Sequence, residues 1–101
     1  MHMAEGGFDA LGEDHASWLL VAAHNELRQR RAERAAALLD LLSVIEPGNM
    51  QCRKMLAYAC WLEGDRDRAA ALANGVLREP LAAADRAAME LLCRGATGPE
   101  G

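Results

Sequence analysis

The sequence Arg34-Ala35-Ala36-Ala37-Leu38 returns as Arg68-Ala69-Ala70-Ala71-Leu72, an offset of 34 residues. A period of this size marks a chain assembled from stacked supersecondary units, each too small to bury its apolar face alone. The flanks repeat as well as the letters. Pro47 follows Ala35 by twelve residues, and Pro80 follows Ala69 by eleven. In both copies the proline lacks the amide a helix needs and steers its predecessor, Glu46 or Glu79, away from helical angles. Ahead of the second copy, Gly64 is placed to end one helix and Asp65 to cap the next.

The residue mixture suits such units. Apolar residues make up 51% of the 101, yet only one Ile, three Val and one Thr are β-branched. Ala and Leu lose little rotamer freedom in helices and have little to offer a sheet, so the expectation is all-α. Spacing and stop signals predict helices over 15–29, 32–45, 50–63, 66–78 and 82–94, with Asp14 and Asn49 as caps of the first and third. The last has Ala84, Ala87, Ala88, Leu91 and Leu92 at helical spacing and reads as a single terminal helix closing the second unit. The organisation expected is one domain over 15–94, with repeats about 16–49 and 50–81 and a cap helix over 82–94. A flexible segment over 1–14 precedes it, and a disordered tail over 95–101 follows. Trp18 should stand on the outer edge of the first helix, where Phe8 and Leu11, or a partner, would cover it.

The run Leu56-Ala57, Tyr58, Trp61, Gly64-Asp65, Ala69 and Pro80 resembles the tetratricopeptide-repeat family, whose period is 34 residues. The first copy keeps Ala22-Ala23, Ala35 and Pro47 but has Arg30 where the family prefers Gly, so a looser first turn is expected. The resemblance covers about residues 16–94. It implies a short α-solenoid: two tetratricopeptide-type helix hairpins plus a C-terminal capping helix, with the first and third helices on the concave side.

On those inner helices one stripe packs on the partner helix: Leu19, Ala22 and Ala23, then Leu56, Ala57 and Cys60. The other lines the concave surface. It runs through Ser17, Leu20, Val21, His24, Leu27 and Arg28 of the first helix and Gln51, Lys54, Met55, Tyr58, Trp61 and Leu62 of the third, with Ala87, Ala88 and Leu91 of the last closing one wall. The nine residues expected to bind are Leu20, Val21, His24, Leu27, Met55, Tyr58, Trp61, Leu62 and Leu91. A helix that reads Trp18-Leu19-Leu20-Val21-Ala22-Ala23 is apolar nearly all round and must be covered on all sides. A protein partner presenting an amphipathic segment is the expected cover, with Tyr58 and Trp61 as leading anchors and Met55 as an adaptable surface.

Other functions find little support. The net charge is −4, from 11 basic and 15 acidic residues, so no sequence-wide field gathers nucleic acid. Arg28, Arg30, Arg31 and Arg34 form one basic cluster, interleaved with Glu26 and Glu33; a solvated turn, or docking to an acidic part of a partner, suits it better than nucleic acid. His15 and His24 lack a completing carboxylate or thiol, and Cys52, Cys60 and Cys93 lack metal spacing, so no metal or other cofactor is expected. The thiols read as reduced and buried in a cytoplasmic protein. No phosphate loop, activated nucleophile or carboxylate pair points to an enzyme. No apolar run approaches the ~20 residues of a membrane span. The acidic, Gly-containing stretch from Met1 to Asp14 does not read as a signal peptide.

A short acidic tetratricopeptide protein with an apolar groove resembles the small type III secretion chaperones of the YscY type. The residues carrying this are Ala32-Glu33-Arg34-Ala35, Leu38-Leu39-Asp40-Leu41-Leu42 and Glu46-Pro47-Gly48-Asn49. The resemblance implies a heterodimer that keeps a small secretion substrate or export component soluble. A scaffold in an unrelated assembly and a self-associating homo-oligomer are the competing expectations.

Overall fold

Four short connections cut this Ala- and Leu-rich chain into five helices packed in sequence, and the described residues, 16–97 of a computed structural model, are all-α. Helix α1 spans 16–28, α2 Ala32–Ile45, α3 Met50–Glu63, α4 Arg66–Val76 and α5 Ala83–Thr97. The expected limits of α2 and α3 coincide with the observed ones. Helix α4 stops earlier than expected, because Arg78 N donates to Gly75 O at 3.3 Å and Glu79 N to Val76 O at 3.0 Å. These i→i−3 bonds tighten the end ahead of Pro80. Helix α5 continues past Arg94 through Gly95; a single glycine costs a helix only about 1 kcal/mol, and nothing else stops it there. The expected cap at Asp14 and the expected cover from Phe8 and Leu11 lie outside the described residues.

Local chemistry fixes the connections. Asn49 caps α3: its Oδ1 accepts from Cys52 N at 2.9 Å while its Nδ2 donates to Glu46 Oε1 at 3.0 Å, which also ties the cap to the end of α2. Asp65 caps α4 in the same way, accepting from Arg68 N at 3.2 Å. Between α3 and α4, Gly64 sits at φ 95°, and Asp65 N donates back to Cys60 O at 2.9 Å. That i→i−5 bond with a left-handed residue before it is the Schellman ending of a helix.

The turn between α1 and α2 is built the same way. Arg30 adopts φ 63°, and Arg31 N donates to Glu26 O at 2.8 Å. The looser turn expected from an arginine at this position is therefore not found. The hydrogen bonds hold the left-handed conformation in spite of the Cβ, and Arg31 Nη1 lies 3.6 Å from Glu26 Oε1 across the same turn.

Small residues set the packing. Ala23, Ala35, Ala57, Ala59, Ala69 and Ala73 are all fully buried, which lets helix backbones approach closely. One core cluster joins α1, α2 and α3 through Leu19, Leu39, Leu42, Cys52, Leu56 and Cys60, among others. A second joins α3, α4 and α5 through Ala57, Ala73, Val76, Met89 and Leu92. Trp61 and Leu72 pack against both clusters and connect them. Several 34-residue pairs are buried alike, Ala23 with Ala57, Ala35 with Ala69, Leu39 with Ala73 and Leu42 with Val76. Ion pairs add cross-links: Arg68 grips Asp40 of α2 at 2.6 Å, and Lys54 of α3 holds Asp85 of α5 at 2.8 Å. The first pair is half exposed and so contributes under about 1 kcal/mol.

Candidate functional site

The odd-numbered helices share one face. Helices α1, α3 and α5 meet there in three adjoining clefts. One, of about 500 Å³, is lined by His24, Leu27, Arg28, Met55 and Tyr58, with the Lys54–Asp85 pair and Met89 on its α5 side. A second, of about 550 Å³, lies against the α1–α2 turn and is lined by Leu27, Arg28, Arg30, Ala32, Tyr58 and Leu62. The third, of about 470 Å³, is almost wholly apolar and lies between α3 and α5, lined by Tyr58, Trp61, Ala88, Met89, Leu91 and Leu92.

Tyr58 is common to all three. It is 46% exposed on the middle helix of the face, so its ring stands where the clefts join. Leu62 and Leu91 are exposed on either side of it. Exposed Tyr58, Leu62 and Leu91 together give this face apolar surface that the chain itself leaves uncovered.

Of the nine residues expected at the site, seven line these clefts: His24, Leu27, Met55, Tyr58, Trp61, Leu62 and Leu91. Leu20 is instead half-buried against the first core cluster. Val21 is exposed but lines none of the three clefts.

Trp61 differs in kind from Tyr58. The Arg66 guanidinium lies 4.4 Å from its ring centroid, the ring packs on both core clusters, and Nε1 is buried without an acceptor among the described residues. It forms a wall of the apolar cleft and is also part of what holds the helices together. The sequence stripe missed Met89, Asp85, Arg30 and Leu92. For Arg30 the 34-residue offset was the available signal, since it places this residue at the Gly64 turn beside Leu62.

A second apolar region lies elsewhere. Leu41, Val44 and Ile45 near the end of α2 are exposed, Val44 by 78%. Trp18, at the start of α1, is 64% exposed. The short connection over 29–31 runs α1 and α2 antiparallel, which brings these residues to the same end of the pair. The sequence reading singled out Trp18 and overlooked its α2 neighbours.

The thiols form no reactive centre. Burial pushes the Cys52 thiol up from its ordinary value, with Asp40 and Glu46 adding to the effect, and Cys52 Sγ lies 3.2 Å from Leu39 O. Burial likewise raises Cys60, against the opposing charge of Arg68. Cys93 is raised too, first by burial and then by Glu90. A raised value keeps each thiol protonated near neutral pH. Among the described residues no group of three or more His, Cys, Asp or Glu is placed to hold a metal ion, and no helix is long and apolar enough to cross a membrane. Comparison with protein-family models, curated proteins and solved structures gives no match for this chain.

Proposed function

We propose that this chain is a protein-binding chaperone of tetratricopeptide type. In this reading α1–α2 and α3–α4 are two repeat hairpins, α5 is their cap, and the face of α1, α3 and α5 is the concave groove. The groove takes up an amphipathic segment of a small type III secretion export component, forms a cytoplasmic heterodimer with it, and acts by sequestration rather than catalysis. Support for the repeat comes from the matched turns at Arg30 and Gly64 and from the alanines buried at the same register. The observation that carries the binding role is the placing of exposed Tyr58 where the three clefts of the odd-helix face join.

Three or four apolar side chains entering these clefts would each contribute ~1.5–3 kcal/mol on full burial. Ordering and association costs remove much of that, leaving enough for a useful complex. The test is recovery of the tagged chain from its native host with identification of stoichiometric companions, repeated with Tyr58→Ala plus Leu91→Ser. Trp61 is unsuitable for this purpose, because truncating it would damage both core clusters. A small secretion component that is captured by the parent protein and lost from the folded double variant supports the reading. A companion belonging to another assembly would make the chain a scaffold or regulatory adaptor instead.

A second reading is self-association, favoured by the exposed Leu41, Val44 and Ile45. Sedimentation equilibrium of the parent and of Val44→Glu separates it: a dimer converted to monomer by that change assigns the α2 surface to a second copy.

A further inference from the structure

Resting on the groove reading above, we infer that the occupant of the odd-helix face carries an acidic group beside its apolar anchor, and that Arg28 and Arg30 read it. The protein has a net charge of −4, yet the α1 end of the groove is locally basic. Arg28 and Arg30 both line the cleft against the α1–α2 turn, both are exposed, and neither has an ion-pair partner among the described residues. Asp85, the only acid among the described residues that line the three clefts, is engaged by Lys54 at 2.8 Å, and Glu26 of α1 is engaged by Arg31 at 3.6 Å. Glu33, on the first turn of α2, is not part of the lining of any of the three clefts. The opposite end of the groove, between α3 and α5, is walled by Trp61, Ala88, Leu91 and Leu92 and offers almost no polar atom.

The groove therefore has a direction. Its apolar end accepts a Leu, Ile, Met or Phe side chain, Tyr58 supports the segment in the middle, and the arginine pair favours Asp or Glu at the far end. Packed helices lie 8–10 Å apart, so the two end clefts, one on either side of α3, are separated by about 10 Å. At ~3.3 Å per residue an extended segment spans this in about three residues. A helical segment at ~1.5 Å per residue needs about seven, or two turns. An arginine fork matches a carboxylate in geometry as well as charge, which gives the contact orientation as well as attraction.

The experiment is selection of a random twelve-residue peptide library on the full chain, followed by fluorescence anisotropy of the selected peptides. The expected result is a large apolar residue with Asp or Glu three to four, or about seven, positions away. Affinity should fall about tenfold for Arg28→Ser plus Arg30→Ser, and should weaken as salt rises. Selected peptides without an acidic preference, or binding indifferent to both the double arginine change and salt, overturn the inference while leaving the groove intact. Failure to select any peptide, or binding that survives Tyr58→Ala plus Leu91→Ser in a variant of unchanged circular dichroism, overturns the groove reading and this inference together.

Discussion

Replacing Arg30 by glycine should stabilise the fold, and replacing Gly64 by alanine should weaken it by a comparable amount. Both residues occupy left-handed backbone, at φ 63° and 95°, at the same point of a Schellman ending. A residue with a Cβ is disfavoured there by roughly 1–2 kcal/mol relative to right-handed conformations. Glycine escapes that cost but loses ~0.5–1 kcal/mol more backbone entropy on folding. The balance for Arg30→Gly is a gain of about 0.7 kcal/mol, or about 3–6 °C in Tm for a domain of this size. At Gly64 an added Cβ meets nothing within 4 Å, so Gly64→Ala measures the backbone term without steric contribution. Urea unfolding, followed by circular dichroism at 222 nm, gives the free energies, with an unchanged m value as the control for the denatured state. Arg30→Ala is the necessary companion, because it removes the charge from the arginine cluster and keeps the Cβ. If Arg30→Ala stabilises as much as Arg30→Gly, the gain comes from relief of like charge. If Arg30→Gly is neutral or destabilising while Gly64→Ala costs about 0.7 kcal/mol, the two turns are not equivalent and the strain assigned to Arg30 is absent.

Leu39→Ala, at a fully buried position between α1, α2 and α3, should cost about 2–5 kcal/mol, whereas Val44→Ser on the same helix should stay within about 0.5 kcal/mol; thermal unfolding of the two variants checks the contrast. Asn49→Ala removes the cap of α3 and its link to Glu46 and should lower stability by about 1 kcal/mol in the same assay. Because burial raises the Cys52 and Cys60 thiols above the ordinary value of 9.0, the folded state holds those protons more tightly than the unfolded chain. Their stabilisation is complete below that value and is lost as pH rises through the folded-state values, so stability should decline above about pH 9. Urea titrations across this range with Cys52→Ala plus Cys60→Ala should show a shallower decline; an unchanged slope would refute the linkage.

How much was legible follows from which signals are local. Proline, the Gly64-Asp65 pair and Asn49 act within a few residues, so the limits of α2 and α3 could be placed from sequence. The end of α4 could not, since its i→i−3 bonds at Arg78 and Glu79 depend on how the chain leaves the helix toward Pro80. Arg30 was misjudged because propensity was weighed without the hydrogen bonds that override it. Helical periodicity put Met55, Tyr58, Trp61 and Leu62 on one stripe of α3, and all four line the clefts, although Met55 and Trp61 also pack on the core. It did less well for α1, where Leu20 turned out to pack on the core and Val21 to stand outside the clefts. On α5 the spacing put Leu92 on the apolar face but not at a cleft, and it left out Met89; both pack in the core with α3 and α4 and also line the α3–α5 cleft.

The two apolar surfaces occupy different elements, and this bears on how the competing functions can be separated. Tyr58, Leu62 and Leu91 belong to α3 and α5, while Leu41, Val44 and Ile45 belong to α2. A partner in the groove therefore need not displace a second copy on α2, and the two events can be read independently. Each surface happens to have its own tryptophan. Trp61 walls the apolar cleft of the groove, and Trp18 stands at the end of the α1–α2 pair where the α2 residues lie. With Trp18→Phe the remaining emission reports on groove occupancy; Trp61→Phe, which keeps an aromatic ring between the two clusters, leaves Trp18 to report on association. Emission from exposed Trp18 that shifts to the blue with rising protein concentration, while Trp61 stays constant, places self-association on α2. The reverse pattern, with Trp61 responding to concentration, would mean that the groove itself pairs with a second copy and that it is not held open for a different protein.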